Sequence, residues 1–173
     1  MHTLITLMAL GSVALGSAFV VVLLLLTTPS WRARITSVAY RYGLLSIFIL
    51  SAASIASTIL LQYADDLAPC VLCWWQRVFM YPIAFIALIA LIKNTHVSDI
   101  ADYVLALSIV GGAIALYQHL LQILPAGALI PCDATGDCAV RSVFEFGFVT
   151  LPFMALSIFA LLGLLSFLAR SDA

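Results

Sequence analysis

Five apolar runs, each long enough to cross a bilayer, fill most of this chain, and the breaks between them are too short to fold by themselves. The runs lie at about Leu4 to Leu26, Tyr42 to Leu61, Val71 to Ile92, Tyr103 to Leu124 and Phe146 to Leu168. A helix of about 20 apolar residues covers the hydrocarbon core of a bilayer. The intervening breaks, Thr27 to Arg41, Gln62 to Cys70, Lys93 to Asp102 and Pro125 to Glu145, hold no separate domain. The expected fold class is therefore all-α, an integral membrane helical bundle. With 65% hydrophobic and 9% charged residues, the chain lies outside the soluble range. Its net charge is −1 and it has no basic run, so nucleic acid and polyanionic substrates are not expected partners.

Basic residues orient the bundle. Arg32, Arg34 and Arg41 follow the first run, Lys93 the third and Arg170 the last, so all fall on one side of a five-span arrangement, the cytoplasmic one. Asp65, Asp66, Asp133, Asp137 and Glu145 fall on the other side, where the basic residues are Arg77 and Arg141. All four cysteines, Cys70, Cys73, Cys132 and Cys138, then face outwards, where an oxidising exterior suits both pairs. The first run is expected to be a retained helix with its N-terminus outside. Met1-His2-Thr3 carries no fixed positive charge, and Trp31-Arg32-Ala33-Arg34, not a small-residue cleavage site, follows the run.

Chemistry concentrates in Cys70-Val71-Leu72-Cys73-Trp74-Trp75-Gln76-Arg77, a C-x-x-C pair that leads straight into the third span. Two residues between the cysteines let a helix N-terminus bring both sulfurs within bridging distance, and the free amides there favour a thiolate. Arg77, four residues after Cys73, lies on the same helix face. There it can stabilise the thiolate and donate hydrogen bonds to a ligand carbonyl, although a basic residue near a span end can also simply snorkel to the headgroups. His119 sits roughly 7.5 Å inside the outer end of the fourth span, and an ionisable group in hydrocarbon is a functional candidate by default. Gln118 and Gln122 beside it can serve as bonds between helices, and Trp74 and Trp75 as an interfacial aromatic belt or as the border of a bound ring.

Read together, Pro69-Cys70-Val71-Leu72-Cys73 with Gln76-Arg77, then Tyr117-Gln118-His119-Leu120-Leu121-Gln122, then Cys132-Asp133 and Gly136-Asp137-Cys138-Ala139-Val140-Arg141, resemble the disulfide bond formation protein B (DsbB) family in their order along the chain. The resemblance covers about Arg41 to Arg170. It implies a four-helix membrane core over 41–173, preceded at 1–40 by an additional transmembrane helix and a cytoplasmic loop. It also implies a thiol–disulfide oxidoreductase of the bacterial cytoplasmic (inner) membrane, which reoxidises a DsbA-like periplasmic thioredoxin-fold dithiol protein and passes electrons to a membrane quinone, ubiquinone or menaquinone. Carried over by residue, Cys132 is the sulfur attacked by the partner, Cys138 the relay thiol that attacks Cys70, and Cys73 the thiolate facing the quinone, with Arg77 and His119 in the quinone site and no metal. The extra helix and the five residues between Cys132 and Cys138 depart from the better-known members; the short loop is similar to the disulfide formation protein C subgroup. A disulfide closing so short a loop restrains little chain entropy and suits exchange.

Other classes compete with this reading. A non-catalytic helical scaffold would use the cysteines as structural disulfides or as a four-thiolate zinc site, for which C-x-x-C spacing also serves. A transporter would need buried charge or interrupted helices, which the spans lack beyond Arg77 and His119. A vitamin K epoxide reductase-like protein would share the bundle and quinone chemistry, but not the Arg77 position or the Cys132 to Cys138 motif.

Overall fold

The computed structural model describes residues 2–64, 69–124, 137–141 and 143–170. Five long helices carry the described chain: α1 His2–Leu25, α2 Pro29–Ala64, α3 Val71–Lys93, α4 Val97–Ile123 and α5 Leu151–Arg170. All five are long and apolar enough to cross a membrane, as their run lengths predict. A single turn of 3-10 helix, Asp137–Ala139, precedes α5.

Three boundaries differ from the sequence reading, each for a local reason. The stretch Thr27 to Arg41, read as a break, is mostly helix. Pro29 opens α2, where its missing N–H costs nothing, and the basic residues that follow are good helix formers. Charge marks the edge of hydrocarbon and does not end a helix. At 36 residues α2 is ~54 Å long, well beyond the hydrocarbon core, so the loop expected at this place is replaced by a helical extension. Likewise α4 begins at Val97 instead of Tyr103, with the backbone N–H of His96 donating to Asp99 Oδ2 at 3.2 Å. The last helix starts five residues late: Phe146 and Gly147 take positive φ and close a turn in which Glu145 and Val149 exchange backbone hydrogen bonds of 2.9 Å. Thr150 then caps α5 by accepting from the N–H of Phe153 at 3.3 Å.

Helices α2, α3, α4 and α5 pack in a closed ring, each against the next and α5 back against α2, with α1 lying outside the ring along α5. Three residues, Asn94 to His96, join α3 to α4 and make them antiparallel; Asn94 ends α3 in the left-handed conformation. The centre is filled by Ile47 of α2, Met80 and Ile83 of α3, Val104 and Ala115 of α4, and Phe159 and Leu162 of α5. The outside is also apolar, as a lipid-facing surface requires, with Phe85, Ile92 and Ile109 exposed.

The tightest packing is between α4 and α5. A Cβ on Gly111 would come within 2.4 Å of the Phe159 ring, which is 1% exposed and would have to shift from its place in the core. Gly111→Val is therefore expected to destabilise the bundle by about 1–3 kcal/mol, the usual cost of overpacking, lowering the unfolding midpoint of the detergent-solubilised protein. An unchanged midpoint would mean that α4 and α5 are less tightly seated than they look.

Candidate functional site

The start of α3 builds the first half of the site. Pro69 keeps the chain out of helix, and Cys70 is the N-cap residue in extended conformation, its sulfur accepting from the backbone N–H of Cys73 at 3.4 Å. This cap turns both side chains the same way. The two sulfurs lie 2.8 Å apart as free, half-buried thiols, well inside van der Waals contact and less than an ångström from the length of a disulfide bond. The two intervening residues thus bring the sulfurs side by side, as C-x-x-C spacing at a helix start allows. Sharing its hydrogen bond with Cys73, and then burial, push the Cys70 thiol far above the ordinary cysteine range.

A residue read from sequence only as a helix-to-helix bond holds these sulfurs. Gln118 of α4, 1% exposed, donates its amide to Cys70 Sγ at 3.1 Å and to Cys73 Sγ at 3.4 Å. Its carbonyl is taken by Gln76 Nε2 at 2.6 Å, which fixes the amide group towards the thiols. An N–H aimed at a sulfur favours the ionised form of a dithiol at the moment it attacks or leaves. The sequence signal was present in the buried amides themselves, since Gln76 and Gln118 in hydrocarbon each need a partner.

Arg77 has its partners on the neighbouring helix. Its guanidinium reaches across to α2, donating from Nη1 to Gln62 Oε1 at 2.7 Å and from Nη2 to the carbonyl of Thr58 at 3.4 Å, and lies 5.2 Å from the ring centre of Trp74. Cys70, Cys73, Gln76, Arg77 and Gln118 line one cavity of ≈ 150 Å³, whose remaining walls are largely apolar and include Ile55, Leu61, Met80, Ile158 and Phe159. His119, expected in this site, does not line it. One residue along a helix is a rotation of about 100°, which turns His119 away from the face carrying Gln118. Its Nδ1 pairs with Thr150 Oγ1 at 2.8 Å and its ring packs on Phe153, so it pins the start of α5.

The second cysteine site adjoins the same face of α4. Cys138 is disulfide-bonded and 1% exposed, while Cys132 lies outside the described residues. Gln122, one turn beyond Gln118, donates from Nε2 to the carbonyls of Cys138 at 3.3 Å and Val140 at 3.1 Å, and its backbone carbonyl accepts from Arg141 Nε. Two glutamines a turn apart thus hold the free pair and the disulfide-bearing segment against one helix.

The comparisons with known proteins point to one family. The family model described as disulfide bond formation protein DsbB matches residues 40–169. The chain is 37% identical over 118 residues to an SPbeta prophage-derived disulfide bond formation protein B of Bacillus subtilis, covering 68% of this chain and 78% of that one. It is 35% identical over 128 residues to a probable disulfide formation protein C 1 of Bacillus cereus (71% and 90% covered) and 34% over 130 residues to a probable disulfide formation protein of Metapseudomonas resinovorans (73% and 88%). No solved structure matches. With a free dithiol and a disulfide gathered on one face of a membrane bundle, and a family match over three quarters of its length, the chain belongs to the DsbB family and serves disulfide bond formation as a thiol–disulfide oxidoreductase.

Proposed function

We propose that this protein is a quinone-coupled thiol oxidase of the bacterial cytoplasmic (inner) membrane. It takes two electrons and two protons from a DsbA-like thioredoxin-fold dithiol protein outside the membrane and delivers them to a membrane quinone, ubiquinone or menaquinone. The observation that carries the reading is the placement of a free C-x-x-C pair in the wall of a mainly apolar cavity that also holds a guanidinium. The working unit is the ring of α2 to α5 within residues 41–173, oriented with the C-x-x-C end outwards and Arg32, Arg34, Lys93 and Arg170 at the cytoplasmic side.

The donor set fits a quinone. A quinone is a flat apolar ring with two carbonyl acceptors, and the cavity pairs apolar side chains with Arg77, which has more N–H groups than the two it gives to α2. When bound, quinone supplies the two-electron sink that cysteines lack. The chain's own residues do the rest. A partner thiolate attacks Cys132 and expels Cys138, and the partner's second thiol then resolves the mixed disulfide, leaving the partner oxidised and both sulfurs reduced. Cys138 next attacks Cys70 of a Cys70–Cys73 disulfide and Cys73 leaves as thiolate. Attack of Cys132 on Cys138 restores the outer disulfide and frees Cys70, which takes up a proton. Gln118 holds both inner sulfurs throughout, and Arg77 orients the acceptor and offsets negative charge on Cys73.

The zinc scaffold fits these sulfurs poorly, because a four-thiolate site needs Cys138 as a thiolate and it is disulfide-bonded. The reading is tested with purified protein, a short-chain quinone and a reduced thioredoxin-fold dithiol protein. One quinone should be consumed per dithiol oxidised. Dithiol oxidation without quinone consumption, or none at all, would overturn it.

A further inference from the structure

Helix α1 lies outside residues 40–169, the part of the chain that the family model matches, yet its Met8 lines the cavity that holds the two free sulfurs. The placement is built into the helix. Ile5, Met8, Ala9, Ser12, Val13 and Gly16 recur at three- and four-residue spacing and form the inward stripe of α1, with Ala9 and Ser12 buried and the others partly so, while Leu7 and Leu10 point outwards. Small residues in that stripe let the helix sit close: Ala9 is fully buried, and a Cβ on Gly16 would come within 3.5 Å of Ser157 Oγ of α5. Around Ala9 a second apolar cluster joins α1 to Val143, Val149 and Met154, with Met8 packed against it. Met8 therefore lines the cavity and packs on the cluster that includes Val143.

We infer that α1 is a fifth wall of the quinone cavity and that Met8 sets the size of quinone head the cavity admits. The inference rests on the quinone-coupled reading above. The ring of α2 to α5 is closed without α1, but α1 lies along α5 and also touches α2, and those two helices supply most of the cavity's apolar lining. Without α1 that side of the cavity would meet lipid. An unbranched, polarisable methionine suits such a place, since it can fill space against rings of different outline.

The test uses the full chain and reads quinone binding by calorimetric titration of the solubilised protein, with one short-chain benzoquinone and one short-chain naphthoquinone as ligands. Met8→Trp should weaken binding of both by about tenfold or more, because a larger side chain forced into a packed wall carries a cost in that range. Met8→Ala, which opens space, should shift the binding ratio towards the bulkier naphthoquinone by several fold. Leu7→Trp, on the adjacent lipid-facing position at 66% exposure, should leave both titrations unchanged. If the wild type binds quinone and the Met8 variants match it in affinity and ratio, α1 is not a wall of the site; an equal effect of Leu7→Trp and Met8→Trp would likewise overturn the inference. If the wild type binds neither quinone, the quinone-coupled reading itself fails. Should Met8→Trp fail to fold, the ratio measured with Met8→Ala still decides.

Discussion

Cys70→Ser and Cys73→Ser are each expected to abolish quinone reduction outright, in a single turnover as well as in steady state. The inner pair is the only dithiol that borders the cavity among the described residues, and a lone thiol cannot give up two electrons by forming a disulfide with its neighbour. Folding should survive both changes. Serine is among the best N-cap residues, so Cys70→Ser keeps the start of α3 with its side-chain oxygen in place of the sulfur. The outer variants should fail differently. Cys132→Ser and Cys138→Ser should stop oxidation of the partner, yet protein reduced beforehand with a chemical thiol should still convert one equivalent of quinone, because Cys70 and Cys73 remain intact. Rapid-mixing absorbance of the quinone separates the two classes. Single-turnover quinone reduction by Cys73→Ser, or its loss in Cys138→Ser, would break the assignment of roles to the pairs.

Arg77→Met should lower apparent quinone affinity by roughly 10- to 150-fold, the equivalent of losing one charge-assisted hydrogen bond of ~1.5–3 kcal/mol. Arg77→Lys should fall between this and the wild type, since it keeps the charge and loses the planar fork that now spans Gln62 and Thr58. Gln62→Leu serves as the control. It removes the 2.7 Å anchor on the guanidinium but leaves the guanidinium itself, so its effect should be small beside that of Arg77→Met. Quinone titrations at fixed partner concentration, with the amount of folded protein checked in membranes, give the comparison. Unchanged quinone dependence in Arg77→Met would remove Arg77 from the site.

What could be read in advance was whatever a helix encodes over a single turn. Run length and hydropathy gave five spans because hydrocarbon tolerates little else, and the spacing of Cys70, Cys73 and Arg77 placed them together because residues three and four apart share a helix face. Features decided by tertiary contact or by rotation about a helix axis were not legible. Gln118 meets the sulfurs from 45 residues away or more, and nothing in its neighbours names them as its partners. His119 was the more conspicuous residue of that turn, being ionisable, but its azimuth aims it at Thr150. The α2 boundary went astray because arginines were read as the end of a helix when they mark only the end of the apolar layer.

The continuous α2 helix also acts as a depth gauge. With the proposed orientation, Arg41 and the Tyr42 ring 5.4 Å from its guanidinium ride at the inner headgroups, while Thr58 and Gln62 hold Arg77 further along the same rigid rod. About 25 Å of uninterrupted helix separates Arg41 from Thr58, set against a hydrocarbon layer of ~30 Å. In that orientation the cavity would hang just beneath the outer headgroups, within reach of a lipid-soluble electron carrier on one side and of a water-borne protein on the other. Since the rod cannot shorten, a thinner bilayer would lift the redox centre towards water and a thicker one would sink it, which makes membrane thickness itself a variable of the chemistry.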